Sequence, residues 1–185
     1  LKLLDRYDID YRCVQGVDSD AGLLTFTNRE NDFESLYAIA AAPFLWAQHP
    51  EPDRWQRRKF AHFCDRGLLN GLGCHSILEK LSQRVVGSTP FDGPDVEPAS
   101  IRIGFTFLAR SLWATGASPE INGALLALSF KHFDTVFFDI GPANSRSITA
   151  VTKLAAIFSH SASDVSDDKA VYALAKPTWN LQIKY

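Results

Sequence analysis

The fold is decided by residues 101–130, IRIGFTFLARSLWATGASPEINGALLALSF. Apolar side chains alternate along the first part of this stretch, which predicts a strand at residues 100–109. Ser118, Pro119 and Glu120 then mark the start of a helix, with Ser118 as the N-cap and Pro119 in the first helical position. The next apolar residues recur at helical spacing: Ile121, Ala124, Leu125, Leu128 and Phe130.

The turn between this strand and this helix consists of four small residues, Ala114, Thr115, Gly116 and Ala117. A turn of small residues that runs into a helix presents free backbone N–H groups and the positive end of the helix dipole. Such a turn binds anions, so we predict a site suited to a phosphate or a pyrophosphate.

Local patterns predict the remaining elements. A helix ends at Ala42 before Pro43, and a second helix is capped by Asp53. On this second segment, Arg54, Arg57, Arg58 and Lys59 are expected to form a solvated face. The other predicted strands are residues 23–27, 75–80, 84–89, 135–140 and 170–175; residues 145–158 are a predicted helix and residues 159–168 a predicted linker.

These elements predict a mixed sheet. The early strands should form an antiparallel meander, whereas the strand-helix-strand unit around residues 101–140 should be a right-handed crossover between parallel strands. Where the pairing changes from antiparallel to parallel, the sheet can open and admit a ligand.

Composition sets the class of protein. The 185 residues suit one domain at 21–185 with an N-terminal extension at 1–20, and the net charge of −2 gives no general attraction to nucleic acid or membrane. No long apolar run is present, and the acidic N-terminal stretch does not resemble a secretion signal. Cys13, Cys64 and Cys74 lack metal-ligand spacing, as do the histidines, so we expect free thiols, a cytoplasmic protein and no metal site.

Four stretches together carry a resemblance to a known family. They are residues 32–56, DFESLYAIAAAPFLWAQHPEPDRWQ; residues 84–91, RVVGSTPF; residues 103–116, IGFTFLARSLWATG; and residues 144–154, NSRSITAVTKL. In order and spacing they resemble the GNAT family of acyl-CoA-dependent N-acetyltransferases, most of all the branch of ribosomal-protein N-terminal acetyltransferases.

The resemblance implies an α/β GNAT fold with the element order β-α-α-β-β-β-α-β-α-β. It also implies acetyl transfer from acetyl-CoA to a primary amine by direct attack, in a monomer or homodimer. Ser147 is implied to lie near the thioester sulfur as the candidate acid, and Trp46 and His49 to face the acceptor amine. The residues implied to hold coenzyme A are Phe107, Leu108, Ala109, Trp113, Ala114, Thr115, Gly116, Ala117, Ser118, Asn144 and Ser147.

The sequence departs from the family pattern at several positions. Trp113 and Ser118 replace residues of the pyrophosphate loop, Val151 stands where many relatives have a tyrosine acid, and Arg102 stands where many have a glutamate base. A cation cannot accept the proton of the amine, so the base must be water, His49 or a carboxylate such as Glu97. The alternative is a diverged GNAT-like binding or structural module with weak or no catalysis. The acceptor can be a protein N-terminus, an amino acid, a polyamine or an aminoglycoside.

Overall fold

The computed structural model describes residues 17–18, 23–69, 74–79, 82–92, 99–163 and 168–182. The predicted extension at 1–20 lies outside the described residues except for Val17 and Asp18, and Glu97 lies outside them as well. Val17 and Asp18 pair with the next strand of the sheet.

The N-terminal part contains a short hairpin and three helices. Asn28 caps the first helix, because its side-chain oxygen accepts hydrogen bonds from the N–H groups of Glu30 and Asn31. The elements are β1 (Val17–Asp18), β2 (Leu23–Phe26), α1 (Arg29–Ala40), α2 (Pro43–Trp46) and α3 (Arg57–Leu69).

The central part is a run of strands that leads into a largely buried helix of 13 residues. Its elements are β3 (Cys74–Leu78), β4 (Val85–Asp92), β5 (Ser100–Ile103), β6 (Phe107–Leu108), a 3-10 turn at Arg110–Leu112, and α4 (Ala117–Ser129). The C-terminal part consists of β7 (Thr135–Ile140), α5 (Ser145–Lys153), β8 (Ile157–Ser163), β9 (Asp168–Ala175) and α6 (Lys176–Gln182).

Nine strands of the described residues form one sheet in the order β1-β2-β3-β4-β5-β7-β9-β8, with β6 paired to β4 beside β5. The pairing of β5 with β7 is parallel and all the other pairings are antiparallel. The mixed sheet, the antiparallel meander and the crossover through α4 are therefore confirmed.

The sheet carries a hydrophobic core on each face. Phe107 belongs to a smaller core with α1, α2 and α3, whereas its neighbour Leu108 belongs to a larger core with α4. Because adjacent side chains of a strand point to opposite faces, α1–α3 and α4 lie on opposite sides of β6. Leu125 and Leu126 are fully buried in the larger core, where each leucine contributes about 1.5–3 kcal/mol through the hydrophobic effect.

The structure corrects the predicted start of α4. Gly116, not Ser118, is the N-cap, and the helix begins at Ala117. Gly116 adopts a left-handed conformation with φ of 90°, which glycine reaches without a steric penalty. The Thr115 hydroxyl accepts the N–H of Ala117 at 3.4 Å, whereas Ser118 lies within the first turn of the helix.

Two strand-region predictions were wrong. The predicted strand at residues 100–109 is broken after Ile103, and the chain resumes as β6 only at Phe107. Within the predicted linker at residues 159–168, residues 159–163 instead belong to β8, which pairs with β9, and residues 164–167 lie outside the described residues. The positive φ of 60° at Ala155 ends the preceding helical segment, so α5 stops at Lys153 rather than at residue 158.

Helix α1 ends at Ala40, two residues before the predicted end at Ala42. Pro43 stands after this end and occupies the first turn of α2, where its missing N–H costs nothing. The Asp53 segment is a run of turns, and α3 begins only at Arg57. The helix α6 was not predicted; its Trp179 packs against the larger core.

None of the described helices is both long and apolar enough to cross a membrane. Cys64 and Cys74 are free, as predicted for these two thiols, and both are buried.

Candidate functional site

The sheet opens between β6 and β7. The strand β4 pairs at one end with β5, through Phe91 and Ile103, and at the other end with β6, through Ser88 and Phe107. Only β5 continues into the parallel pairing with β7, so within the described part of the chain β6 pairs with β4 alone. The break that separates β5 from β6 contains Phe105, with φ of 52°. The second edge of β6 therefore faces an opening in the sheet.

Leu108 presents its backbone to this opening. The N–H of Ala109 donates to the carbonyl of Val86 at 2.7 Å, so Ala109 belongs to a hydrogen-bonded pair with β4. Because hydrogen-bonded and non-hydrogen-bonded pairs alternate along an antiparallel ladder, the N–H and C=O of Leu108 point away from β4. The carbonyl of Leu108 accepts a hydrogen bond from Nε1 of Trp113 at 3.0 Å, which agrees with this direction.

A glycine sets the close contact between β6 and β4. A Cβ atom on Gly87 would lie 2.3 Å from the carbonyl oxygen of Phe107 and 2.8 Å from Cδ2 of Leu108. No other residue type fits there without moving β6, so Gly87 fixes the position of the open edge.

The turn before α4 forms a cradle of backbone N–H groups. Ala114 and Gly116 both have positive φ, 59° and 90°, and this curls the chain before the helix begins. Among the described residues, no acceptor takes the N–H groups of Thr115, Gly116 or Ser118. Together with the positive end of the helix dipole, they can bind an anion.

The first turn of α5 carries the predicted Asn144 and Ser147. The Oδ1 of Asn144 accepts the N–H of Ser147 at 3.2 Å, which orients the side chain and leaves its amide group as a donor. Ser147 is half-buried, and its hydroxyl makes no hydrogen bond to the described residues.

Arg146 connects α5 to the other walls of the opening. Its guanidinium lies 4.3 Å from the ring centroid of Trp113, and its Nη2 donates to the carbonyl of Leu45 at 3.1 Å. The side-chain oxygen of Gln48 accepts both the N–H and the Nε of Arg146, each at 3.2 Å. The structure therefore brings α2, Trp113 and the first turn of α5 together.

Trp46 lies beneath the opening. Its ring centroid is 5.5 Å from that of Phe107 and 5.8 Å from that of His49. Only 3% of Trp46 is exposed, and its Nε1 donates to the carbonyl of Ala40 at 2.7 Å. Trp46 is therefore too buried to contact an acceptor over much of its surface, and it acts on the predicted acceptor side mainly by packing against Phe107 and His49.

His49 lies between two hydrogen-bond donors. The N–H of Glu51 donates to Nδ1 at 3.0 Å, and Nη1 of Arg54 lies 3.1 Å from Nε2. Burial, followed by the charge of Arg54, lowers the pKa of His49 to about 4, although Glu51 opposes this shift. The imidazole is therefore neutral near pH 7 and is a weak base.

The prediction that Arg54 is solvated was wrong. Its side chain is 3% exposed and forms an ion pair with Glu51 at 2.8 Å. Its guanidinium lies 4.4 Å from the ring centroid of Phe63 and within 5.4 Å of those of Trp46 and Phe105. Arg57, Arg58 and Lys59 are exposed, as predicted.

Arg102 forms an ion pair with Asp139 of β7, and Lys169 of β9 approaches the same carboxylate at 4.0 Å. The position where a glutamate base was sought therefore carries a paired cation. Val151, at the position of the usual tyrosine acid, is buried with 6% exposure. Neither residue can transfer a proton near pH 7.

Sequence reasoning missed three contributors to this site: Gln48, Phe105 and Arg146. Arg146 stands between Asn144 and Ser147 and could have been found from that position alone. The other two have no local signal, because Gln48 acts across about 100 residues of chain and Phe105 depends on the break in the strand.

Comparison with sequence families places most of the chain in a known group. The profile of the acetyltransferase (GNAT) domain matches residues 23–156. No curated protein sequence matches the chain.

Solved structures share this architecture at low sequence identity. A probable GNAT-family acetyltransferase from Chromobacterium violaceum has a TM-score of 0.78 and 15% identity, with 89% of this chain and 88% of that chain covered. A GCN5-related N-acetyltransferase from Brucella melitensis has a TM-score of 0.75 and 15% identity, with 88% and 79% covered.

A third similar structure contains ligands. The aminoglycoside acetyltransferase AAC(6')-Ib in complex with coenzyme A and kanamycin has a TM-score of 0.67 and 13% identity, with 86% of this chain and 98% of that chain covered. At these identities the three similarities show a shared α/β GNAT fold.

Proposed function

The chain belongs to the acetyltransferase (GNAT) family, and we propose that it transfers an acetyl group from acetyl-CoA to a primary amine. The observation that carries this proposal is the open edge of β6 beside the N–H cradle of α4. A strand edge can pair with an extended amide-containing arm, and the cradle can bind a pyrophosphate.

The two parts of the site suit the two parts of coenzyme A. The backbone of Trp113, Ala114, Thr115, Gly116, Ala117 and Ser118 would hold the pyrophosphate. The pantetheine arm would lie along Phe107, Leu108 and Ala109, with the amide group of Asn144 donating to it. The backbone N–H of Leu108 faces the opening and can polarise a carbonyl that is bound there.

Acetyl-CoA supplies the activated acetyl group as a thioester. The transfer forms a bond from the amine nitrogen to the acetyl carbon and breaks the bond from that carbon to sulfur. The amine loses one proton and the departing thiolate gains one. We assign the proton donor to the Ser147 hydroxyl, which acts as an acid or as a hydrogen-bond donor to sulfur.

Water is the base that the site favours. His49 has a lowered pKa and faces two donors, and Arg102 is a paired cation. Acceptor amines with a substantial neutral fraction near pH 7–8, such as protein N-termini with a pKa of about 7.7–8.0, need the least help from a base. This preference, together with the resemblance of the sequence to the ribosomal-protein branch, favours a peptide N-terminus over a polyamine.

His49 and Trp46 would form part of the wall that the acceptor meets. His49 is partly exposed, whereas Trp46 supports it from below. A small-molecule amine remains a candidate acceptor, and a structurally similar protein was crystallised with an aminoglycoside.

A second candidate function is a GNAT-like binding or structural module with weak or no catalysis. It is favoured by the pairing of Arg102 with Asp139, which leaves the usual base position without a proton acceptor. The two candidates differ in turnover: both allow coenzyme A to bind, but only the enzyme releases free thiol from acetyl-CoA when an amine is added.

The test measures thiol release from acetyl-CoA with a panel of acceptors: peptides with free N-termini, amino acids, polyamines and aminoglycosides. We expect amine-dependent release with at least one class, and no release with any class would favour the binding module. In a matched pair of variants, Ser147→Ala should lower kcat by about 100-fold with little change in the KM for acetyl-CoA. Thr149→Ala changes an exposed residue of the same helix and should leave kcat unaltered. An unchanged kcat in Ser147→Ala would exclude Ser147 as the acid.

A further inference from the structure

The backbone edge of β6 is already partly occupied by a side chain of this protein. The carbonyl of Leu108 faces the opening of the sheet, and Nε1 of Trp113 donates to it at 3.0 Å. An arm that pairs with β6 as an added strand needs the backbone groups on that edge. The indole of Trp113 therefore lies where such an arm would make its hydrogen bond.

The Trp113 ring is held in this position from two sides. The guanidinium of Arg146 lies 4.3 Å from its centroid, and Phe44 meets it edge-on at 5.7 Å. Arg110 in turn lies 4.7 Å from the centroid of Phe44. The two aromatic rings thus lie between the two cations in one stack at the mouth of the opening.

The same stack is tied to the elements that flank the opening. Arg146 donates to the carbonyl of Leu45 and to the side-chain oxygen of Gln48, which lie at α2 and just after it. Trp113 is only partly buried, so the ring can move toward solvent without opening the main core. The hydrogen bond to Leu108 is therefore one that a ligand can replace.

We propose that the Trp113 indole competes with acyl-CoA for the Leu108 carbonyl, so that coenzyme A binds only when the indole N–H leaves β6. This inference rests on the proposed function and adds to it a residue that sets the affinity for the cofactor. The backbone of Trp113 belongs to the cradle, whereas its side chain opposes binding.

Trp113→Phe separates these two parts. Phenylalanine keeps an aromatic ring for the stack with Arg146 and Phe44 but has no N–H for Leu108. Removing a competing hydrogen bond should lower the Kd for coenzyme A by about two- to tenfold in a calorimetric titration. Trp55→Phe, at an exposed tryptophan, is the matched control and should leave the Kd unchanged.

A second measurement uses the wild-type protein. The indole N–H resonances of the four tryptophans can be followed by NMR during titration with coenzyme A, and Trp113→Phe identifies the resonance of Trp113. The Trp113 resonance should shift and its hydrogen exchange should accelerate as the bond to Leu108 breaks. The indole of the exposed Trp55, which is not part of the proposed site, should not change.

The outcomes separate this inference from the proposed function. The competition is supported if Trp113→Phe binds coenzyme A more tightly than wild type and the Trp113 resonance of wild type shifts on binding. It is also supported if the variant binds coenzyme A and wild type does not. Binding of coenzyme A by wild type with an unmoved Trp113 resonance and no gain in the variant overturns the competition and leaves the proposed function standing. No binding by either protein overturns both.

Discussion

At the scale of single residues, burial decides the protonation of two histidines. His49 and the fully buried His75 each have a pKa lowered to about 4 from the usual 6.5, chiefly because burial penalises the charged form. A histidine that binds its proton more weakly when folded takes up a proton on unfolding between about pH 4 and 6.5. Its contribution to stability is complete above pH 6.5 and is lost as the pH falls through this window.

We expect the free energy of unfolding to fall between pH 7.5 and pH 5, measured by urea denaturation. His49→Gln should lose less over that interval than wild type, by about 1–2 kcal/mol, because one titrating group is removed. His132→Gln changes an exposed histidine and should follow wild type. Equal losses in wild type and His49→Gln would show that His49 does not titrate abnormally.

The sequence predicted the positions of some site residues but not the burial of others. Arg54 looked like one of four cations on a helix, yet it is buried because Trp46, Phe63 and Phe105 converge on it from separate elements. Asn144 and Ser147 were predicted from the resemblance, and their places at the start of α5 are seen in the structure. Their roles toward a cofactor stay predictions.

At the scale of elements, Gly87 of β4 allows β6 to pack closely against β4, and β6 carries the open edge of the site. Gly87→Ala should destabilise the protein by about 1–3 kcal/mol, because the added methyl group would overlap the Phe107 carbonyl and the Leu108 side chain. It should also raise the KM for acetyl-CoA, since β6 carries the open edge. Urea denaturation and steady-state kinetics check the two effects.

Gly67→Ala is the matched control for that variant. A Cβ atom there has its nearest neighbours at 3.8 Å, an ordinary contact, and alanine is the better helix former within α3. Its stability should equal or exceed that of wild type by up to about 1 kcal/mol. If Gly87→Ala behaves like Gly67→Ala, the close approach of β6 to β4 is not a constraint.

Elements with a strong internal period were predictable, and those set by tertiary context were not. β7 and the body of α4 follow their alternating and helical apolar patterns. The break in the strand at Phe105 and the end of α5 before Ala155 depend on positive φ at non-glycine residues, which no propensity indicates. The first two residues of β8 were predicted as helix and the remaining five, SHSAS, as linker, because these five are mostly polar, as suits an edge strand that faces solvent.

At the scale of the whole molecule, the change from antiparallel to parallel pairing creates the site. β4 is long enough to pair with both β5 and β6. Of these two strands only β5 also pairs with β7, so the sheet separates beside α4 and α5. Proteins with about 15% sequence identity have the same architecture. This sheet opening with its cradle is the central claim, and Gly116 is the residue on which the cradle depends.

Calorimetric titration with coenzyme A tests this claim most directly, in wild type and two Gly116 variants. We predict one binding site per chain in wild type. Gly116→Val should bind at least about tenfold more weakly, because a β-branched residue is strained at φ of 90°, and Gly116→Asn should bind nearly as well as wild type, because asparagine tolerates positive φ. No binding by wild type, or equal binding by all three proteins, would contradict the account.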